Sequence, residues 1–347
     1  MVRPVPAKGD RQQILWTSPS ISPSSPSGCA ALYFGAEWLV GGSSRLALRL
    51  WIAPLVVGLT VVAFGTSAPE LFVCISLIMG DSGGADAAVG MSWPNICNIA
   101  LILGAGAVMR PLLVKSQIIV REMPILLIAT GVFLWMIYDN QLEFWEGFAL
   151  FAAVIVYTMT ALYFARREKD PEVEREFREG LEVEPDPAKK KPVTVLFGLI
   201  LSGLVTLVIG AIALKQGAMY VAEAMGVSKA VIGLTLYAVG TSLPELATSV
   251  VASLKNEGDI VTGNAIGSCI FNIFCVMGLT TLYSYGHSGA GLVFSGIEPL
   301  DLWMMMGTAA VVLPLMLTRN RLGRMEGLLL LAVYGGYCYL LSQRGAI

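Results

Sequence analysis

The segment GLTVVAFGTSAPEL at 58–71 recurs as GLTLYAVGTSLPEL at 233–246, with 10 of 14 positions identical and no gap between the two. Shared hydrophobicity would not reproduce Thr, Ser, Pro and Glu in register, so the chain carries two copies of one unit. Upstream the same offset continues, pairing Gly35 with Gly210, Ala36 with Ala211 and Gly42 with Gly217. Downstream it shifts slightly. There AVGMSWPNICNIALILG at 88–104 faces VTGNAIGSCIFNIFCVMG at 261–278, placing Gly90 opposite Gly263 and Asn98 opposite Asn272.

The two copies lie in a chain that is 55% apolar and only 14% charged, against about 25% charged residues in a soluble domain. A bilayer core takes ~20 apolar residues per helix. On that measure ten spans are predicted, at 29–50, 52–79, 86–109, 117–137, 143–165, 193–224, 229–254, 259–284, 298–318 and 323–342. Five spans per copy is an odd number, so the second copy enters the membrane from the opposite side. The expected fold is therefore an all-α membrane protein of ten transmembrane helices in two inverted five-helix repeats, an architecture of secondary transporters.

Charge placement sets the expected orientation. With the first span running outside to inside, 17 of the 23 Lys and Arg residues fall in inward loops, as the positive-inside rule requires. Residues 29–165 are read as the first repeat and 193–347 as the second. Between them, 166–192 carries eight Lys or Arg and nine Asp or Glu, and is read as a solvated cytoplasmic linker. Residues 1–28 are Pro/Ser-rich and lack the apolar core and cleavage site of a signal peptide, so they are read as a disordered tail. The expected location is the cell (inner) membrane. A net charge of −2 gives no basic field for nucleic acid.

Several chemistries are excluded by residue supply. A single histidine, His287, provides neither a His-rich metal cluster nor a triad, and six cysteines without a CxxC spacing read as small buried hydrophobes. What the repeat duplicates is oxygen. Glu70 and Glu245 lie inside spans, where an ionised side chain costs roughly 3 kcal/mol and calls for a cation or a proton. Pro69 and Pro244 cannot donate to the carbonyls of Gly65 and Gly240, so each helix should kink and free backbone oxygens. Thr66, Ser67, Thr241 and Ser242 add hydroxyls on the same turns, and Asn98, Asn272 and Ser268 add oxygens from the third and eighth spans. Two carboxylates among neutral oxygens suit a hard cation such as Ca²⁺ or Na⁺. Gly90, Gly263 and Gly267 would let those spans press against the broken helices. Glu37 and Glu223 have no counterpart in the other copy and are open between a structural partner and an ion path.

The motifs GTSAPEL, GTSLPEL and GNAIGSCIFN resemble the alpha repeats of the cation/calcium exchanger superfamily, especially its prokaryotic sodium/calcium-type members. The likeness covers nearly all of 29–342. It implies ten helices in two inverted halves and four ion sites clustered around the motif glutamates. It further implies ligands on Thr66, Ser67, Glu70, Asn98, Thr241, Ser242, Glu245, Ser268 and Asn272, with the backbone carbonyls of Ala63 and Ala238. The chain departs from the family pattern G-N-x-x-G-S-N-I-x-N at Gly90–Asn98, which is one residue short and lacks the Gly-Ser pair, so the serine of that half is missing or displaced to Ser92. Cys269 stands where Asn is usual.

The function this implies is a non-enzymatic antiporter. It would exchange Ca²⁺ for Na⁺ or H⁺ by alternating access at a paired-glutamate site, with no cofactor and with the bilayer as its setting. Two alternatives stay open at the sequence: a homologue that keeps the fold with impaired transport, and an intramembrane hydrolase using the two glutamates as acid and base.

Overall fold

The computed structural model describes residues 25–50, 52–79, 93–167, 192–224, 240–294, 298–318 and 320–344. Helix α1 spans Ser25–Leu50. Helix α2 follows as Pro54–Val57, a π-helical turn at Gly58–Val62, and Ala63–Thr66; after a break at Ser67 the chain resumes as α3, Ala68–Met79. Next come α4 (Trp93–Met109), α5 (Ile118–Asp139) and α6 (Phe144–Arg167). The second part holds α7 (Val193–Ala224), α8 (Leu243–Leu254), α9 (Gly258–Ser288), α10 (Pro299–Leu317) and α11 (Arg324–Arg344). Among the described residues seven helical stretches are long and apolar enough to cross a membrane, and α4 and α8 are shorter apolar helices. Among the described residues the regular structure is helical apart from four two-residue strands.

Close packing is made by glycines. Helices α1 and α7 run antiparallel along most of their length. A Cβ on Gly35 would stand 2.8 Å from the backbone nitrogen of Leu207 and one on Gly203 2.7 Å from that of Leu39, so any side chain there would push the helices apart. Gly28 and Gly210 make the corresponding contact farther along. Gly104 of α4 likewise meets Gly327 of α11, and Gly278 of α9 meets Gly147 of α6. Helix α9 lies deepest, with every residue from Ile260 to Phe271 buried. Its Gly263 and Gly267 sit on the backbone of α2 at Leu55–Leu59, in the packing role that the sequence suggested for them.

The strands join distant parts of the chain. Strand β1 (Leu112–Leu113) pairs antiparallel with β4 (Arg321–Leu322), and β2 (Gln141–Leu142) with β3 (Leu292–Val293). Beside them Val114 donates its N–H to the Asn320 carbonyl at 2.8 Å, and Phe294 donates to the Asn140 carbonyl, also at 2.8 Å. Asn140 (φ 60°) and Asn320 (φ 48°) are both left-handed, a conformation Asn tolerates better than most residues.

Candidate ion-binding site

Each sequence motif breaks its helix at the same residue. Ser67 has φ −83° and ψ −1°, and Ser242 has φ −86° and ψ 7°. Both lie two residues before the proline, whose missing N–H cannot continue the preceding turn. The break leaves Glu70 and Glu245 in the first turn of α3 and α8, where the helix dipole favours negative charge. Both carboxylates are sealed inside the molecule, Glu70 2% exposed and Glu245 0%.

Glu70 and Glu245 stand within electrostatic reach of each other, and the hydroxyls of Thr66 and Ser67 face the Glu245 carboxylate. None of the four carboxylate oxygens has a hydrogen-bond partner among the described residues, and neither do the Ser67 and Ser242 hydroxyls, the Asn98 carboxamide or the Asn272 Oδ1. Buried polar atoms are normally satisfied. Here the unpaired ones are eight oxygens and one amide nitrogen on residues that the repeat marks out. No group of three His, Cys, Asp or Glu converges among the described residues.

Of the sequence-predicted ligands, Thr66 and Ser268 meet directly, hydroxyl to hydroxyl at 3.5 Å. Thr66 also donates to Asn264 Oδ1 at 3.1 Å. The Ala63 carbonyl accepts the Ser67 N–H at 3.0 Å and lies 3.4 Å from the Thr66 hydroxyl. Asn98 and Asn272 each lie in a π-helical turn, Cys97–Ile102 and Asn272–Val276. The first packs against α8 and the second against α3, so each turn lies on the helix carrying the other copy's glutamate. Thr241 is buried at the end of the turn preceding Ser242. Ala238, Gly90 and Ser92 lie outside the described residues, as does the Glu223 side chain. Glu37 takes the structural alternative, pairing with Lys255 at 3.2 Å.

Two residues of the site went unread in the sequence. Asn264 orients Thr66 and reaches toward the Glu245 carbonyl and Ser249 with its Nδ2, at 3.5 and 3.4 Å. Asn95 donates to the Cys269 carbonyl at 3.3 Å, receives the Cys269 thiol on its own carbonyl at 3.6 Å, and accepts the Asn272 amide at 3.0 Å. Position 95 precedes 269 by the same interval that separates Asn98 from Asn272, so the reciprocal pair fixes the register. Pro94 therefore stands where the second copy has Ser268. The signal was available in the N-I-C-N run of Asn95–Asn98, which aligns with C-I-F-N at Cys269–Asn272.

Residues 27–163 and 195–343 match the sodium/calcium exchanger protein family. The chain belongs to that family. CaxA of Alkalimonas amylolytica is 36% identical over 320 residues, covering 90% of this chain and 96% of its own. The sodium/calcium exchanger MaX1 of Methanosarcina acetivorans is 30% identical over 349 residues, with 90% and 96% covered. Among solved structures, the sodium-calcium exchanger NCX_Mj superposes with a TM-score of 0.71 at 28% identity, over 88% of this chain and 94% of that one. This family member is thus an integral, multi-pass membrane protein of the exchanger type.

Proposed function

We propose that the protein exchanges Ca²⁺ for Na⁺ or H⁺ by alternating access at a single cage around Glu70 and Glu245. The observation that carries this is the pair of buried carboxylates, neither of which has a hydrogen-bond partner among the described residues. Two ionised glutamates hold a charge of −2, which one Ca²⁺ or two monovalent cations would neutralise, so the two kinds of cargo compete for the same charge. An empty cage would leave like charges facing each other in low dielectric, which favours return with the counter-ion bound and suppresses leak. Thr66, Ser67, Asn98, Thr241, Ser242, Ser268, Asn272 and the carbonyls of Ala63 and Ala238 supply the neutral oxygens in this reading.

The same reading holds that ten transmembrane helices form two inverted halves, 29–165 and 193–347, joined by a cytoplasmic linker at 166–192 in the cell membrane. A two-fold relation is supported by pairings that interchange when one half is mapped onto the other. Shifting Leu112 forward onto Leu292 carries its partner Leu322 back onto Leu142 by the same interval, and both pairs occur. The glycine contact of α4 with α11 becomes that of α9 with α6. The matching breaks at Ser67 and Ser242 obey the same rule.

The test is radiolabelled Ca²⁺ uptake into vesicles containing the purified protein. An outward Na⁺ gradient or an outward H⁺ gradient should drive accumulation, and collapsing the effective gradient with an ionophore should abolish it. Uptake indifferent to both gradients would reject exchange.

A further inference from the structure

Outside the cage, a second buried carboxylate is built into each half. Glu122, in the π-helical turn Ile118–Glu122 that opens α5, accepts the Tyr157 hydroxyl of α6 at 2.9 Å. In the other half Asp301 of α10 accepts the Tyr337 hydroxyl of α11 at 3.0 Å. The residue before the carboxylate differs. It is Arg121 in the first half and the uncharged Leu300 in the second, so this clasp does not require an arginine.

Arg121 is nonetheless held firmly. Its Nε donates to Glu122 Oε1 at 2.8 Å and its guanidinium carbon lies 5.5 Å from the centre of the Phe164 ring. Nη2 is buried without an acceptor, and Glu122 is the sole acceptor of this guanidinium among the described residues. The side chain, 24% exposed, lines a cavity of about 400 Å³ between α5 and α6. Thr160 lies at the same end, Ala149, Ala152 and Ala153 form a track of small side chains along α6, and Phe274 of α9 borders the cavity. From Ala149 to Thr160 the track is roughly 16 Å long at the α-helical rise, about one leaflet of a hydrocarbon core. Its polar end is where α5 begins and α6 ends, the side of the membrane that carries the 166–192 linker.

We propose that this groove is a binding site for one phospholipid of the linker-side leaflet, with its phosphate on the Arg121 guanidinium and one acyl chain along the alanine track. A guanidinium in apolar surroundings with unfilled donors is costly, and a phosphate oxygen is a strong, charge-assisted acceptor for it. The bilayer supplies that group at the depth of the helix end. The alanines leave room for a chain where bulkier side chains would close the groove.

The test is retention of lipid by the delipidated protein in detergent, read by native mass spectrometry. Dioleoyl phosphatidylglycerol should bind with unit stoichiometry, and dioleoylglycerol, which has the same chains and no phosphate, at least tenfold more weakly. Ala152→Phe, which fills the track without touching the ion pair, should weaken phosphatidylglycerol at least tenfold. Arg121→Leu, which copies the second half, should erase the preference for phosphatidylglycerol over dioleoylglycerol. Equal binding of the two lipids by the unaltered protein would overturn the phosphate contact. Undiminished phosphatidylglycerol binding by the Ala152→Phe protein would overturn the groove. The lipid comparison on the unaltered protein decides even if a variant does not fold, and no arm depends on transport.

Discussion

Glu70→Gln and Glu245→Gln each keep the shape of the side chain and remove one cage charge. We expect either substitution to reduce gradient-driven Ca²⁺ uptake to background while the protein still inserts and migrates as a folded species by size exclusion. Pro94 allows a test of the opposite sign. It stands at the position of Ser268, whose hydroxyl touches Thr66, and it lies in the first turn of α4, where a backbone N–H has no helical partner and either residue is tolerated. Pro94→Ser should therefore restore an oxygen and lower the Ca²⁺ concentration for half-maximal uptake several-fold; an unchanged value would mean the cage is complete without it. The glutamates, hydroxyls and Asn98 with Asn272 were legible because duplication marks them. Asn95 was hidden because its partner, Cys269, belongs to the other copy and differs from it in kind. Asn264 was hidden because Met91, which stands opposite it when Gly90 is set against Gly263, is not an asparagine.

At the scale of elements, the helix breaks could be foreseen from proline and the glycine contacts from their regular heptad spacing in α1 and α7. The π-helical turns carry no comparable signature, since their extra residue per turn depends on what packs against them. The carboxylate–tyrosine clasps escaped for a similar reason. Glu122 lies next to an arginine at a helix end and reads there as an ordinary surface pair, although it is fully buried. Tyr157→Phe and Tyr337→Phe each remove a hydroxyl donated to a buried carboxylate, which should cost about 1.5–3 kcal/mol and lower the thermal midpoint in detergent. Because the clasps are far apart, the double variant should show nearly the sum of the two losses.

A pH effect belongs to the corner between α8 and α9. There burial raises the carboxyl of Glu257 above the ordinary glutamate range, and nearby Asp259 adds to the shift. A carboxyl with a raised folded-state value binds its proton more tightly when folded, so its contribution to stability is full at acid pH and is lost as pH rises through that value. Glu257→Gln should flatten the fall in thermal midpoint as pH rises above the ordinary glutamate range, as followed by intrinsic fluorescence.

For the whole molecule, the alternation of spans and the basic loops fix an expected topology. A cysteine introduced at Glu179 in the linker should resist an impermeant thiol reagent in intact cells and react once the membrane is opened. Labelling from outside would reverse the orientation. The all-helical, membrane-spanning character of the chain was legible in composition. How the two halves interlock was not, because such short strands leave no periodic trace and each finds its partner in the other half of the chain.

Those small strands have a consequence for synthesis. When the ribosome has completed residues 1–165, the edges of β1 and β2 are still without the neighbours that come from 292–293 and 321–322. Asn140 likewise waits for Phe294, and Val114 for Asn320. The early product can be threaded into the bilayer but its caps stay open until translation is nearly finished, which makes it a natural client of membrane quality control. Expressed alone it should be degraded quickly, and co-expression of 192–347 as a separate chain should prolong its half-life in a pulse-chase experiment.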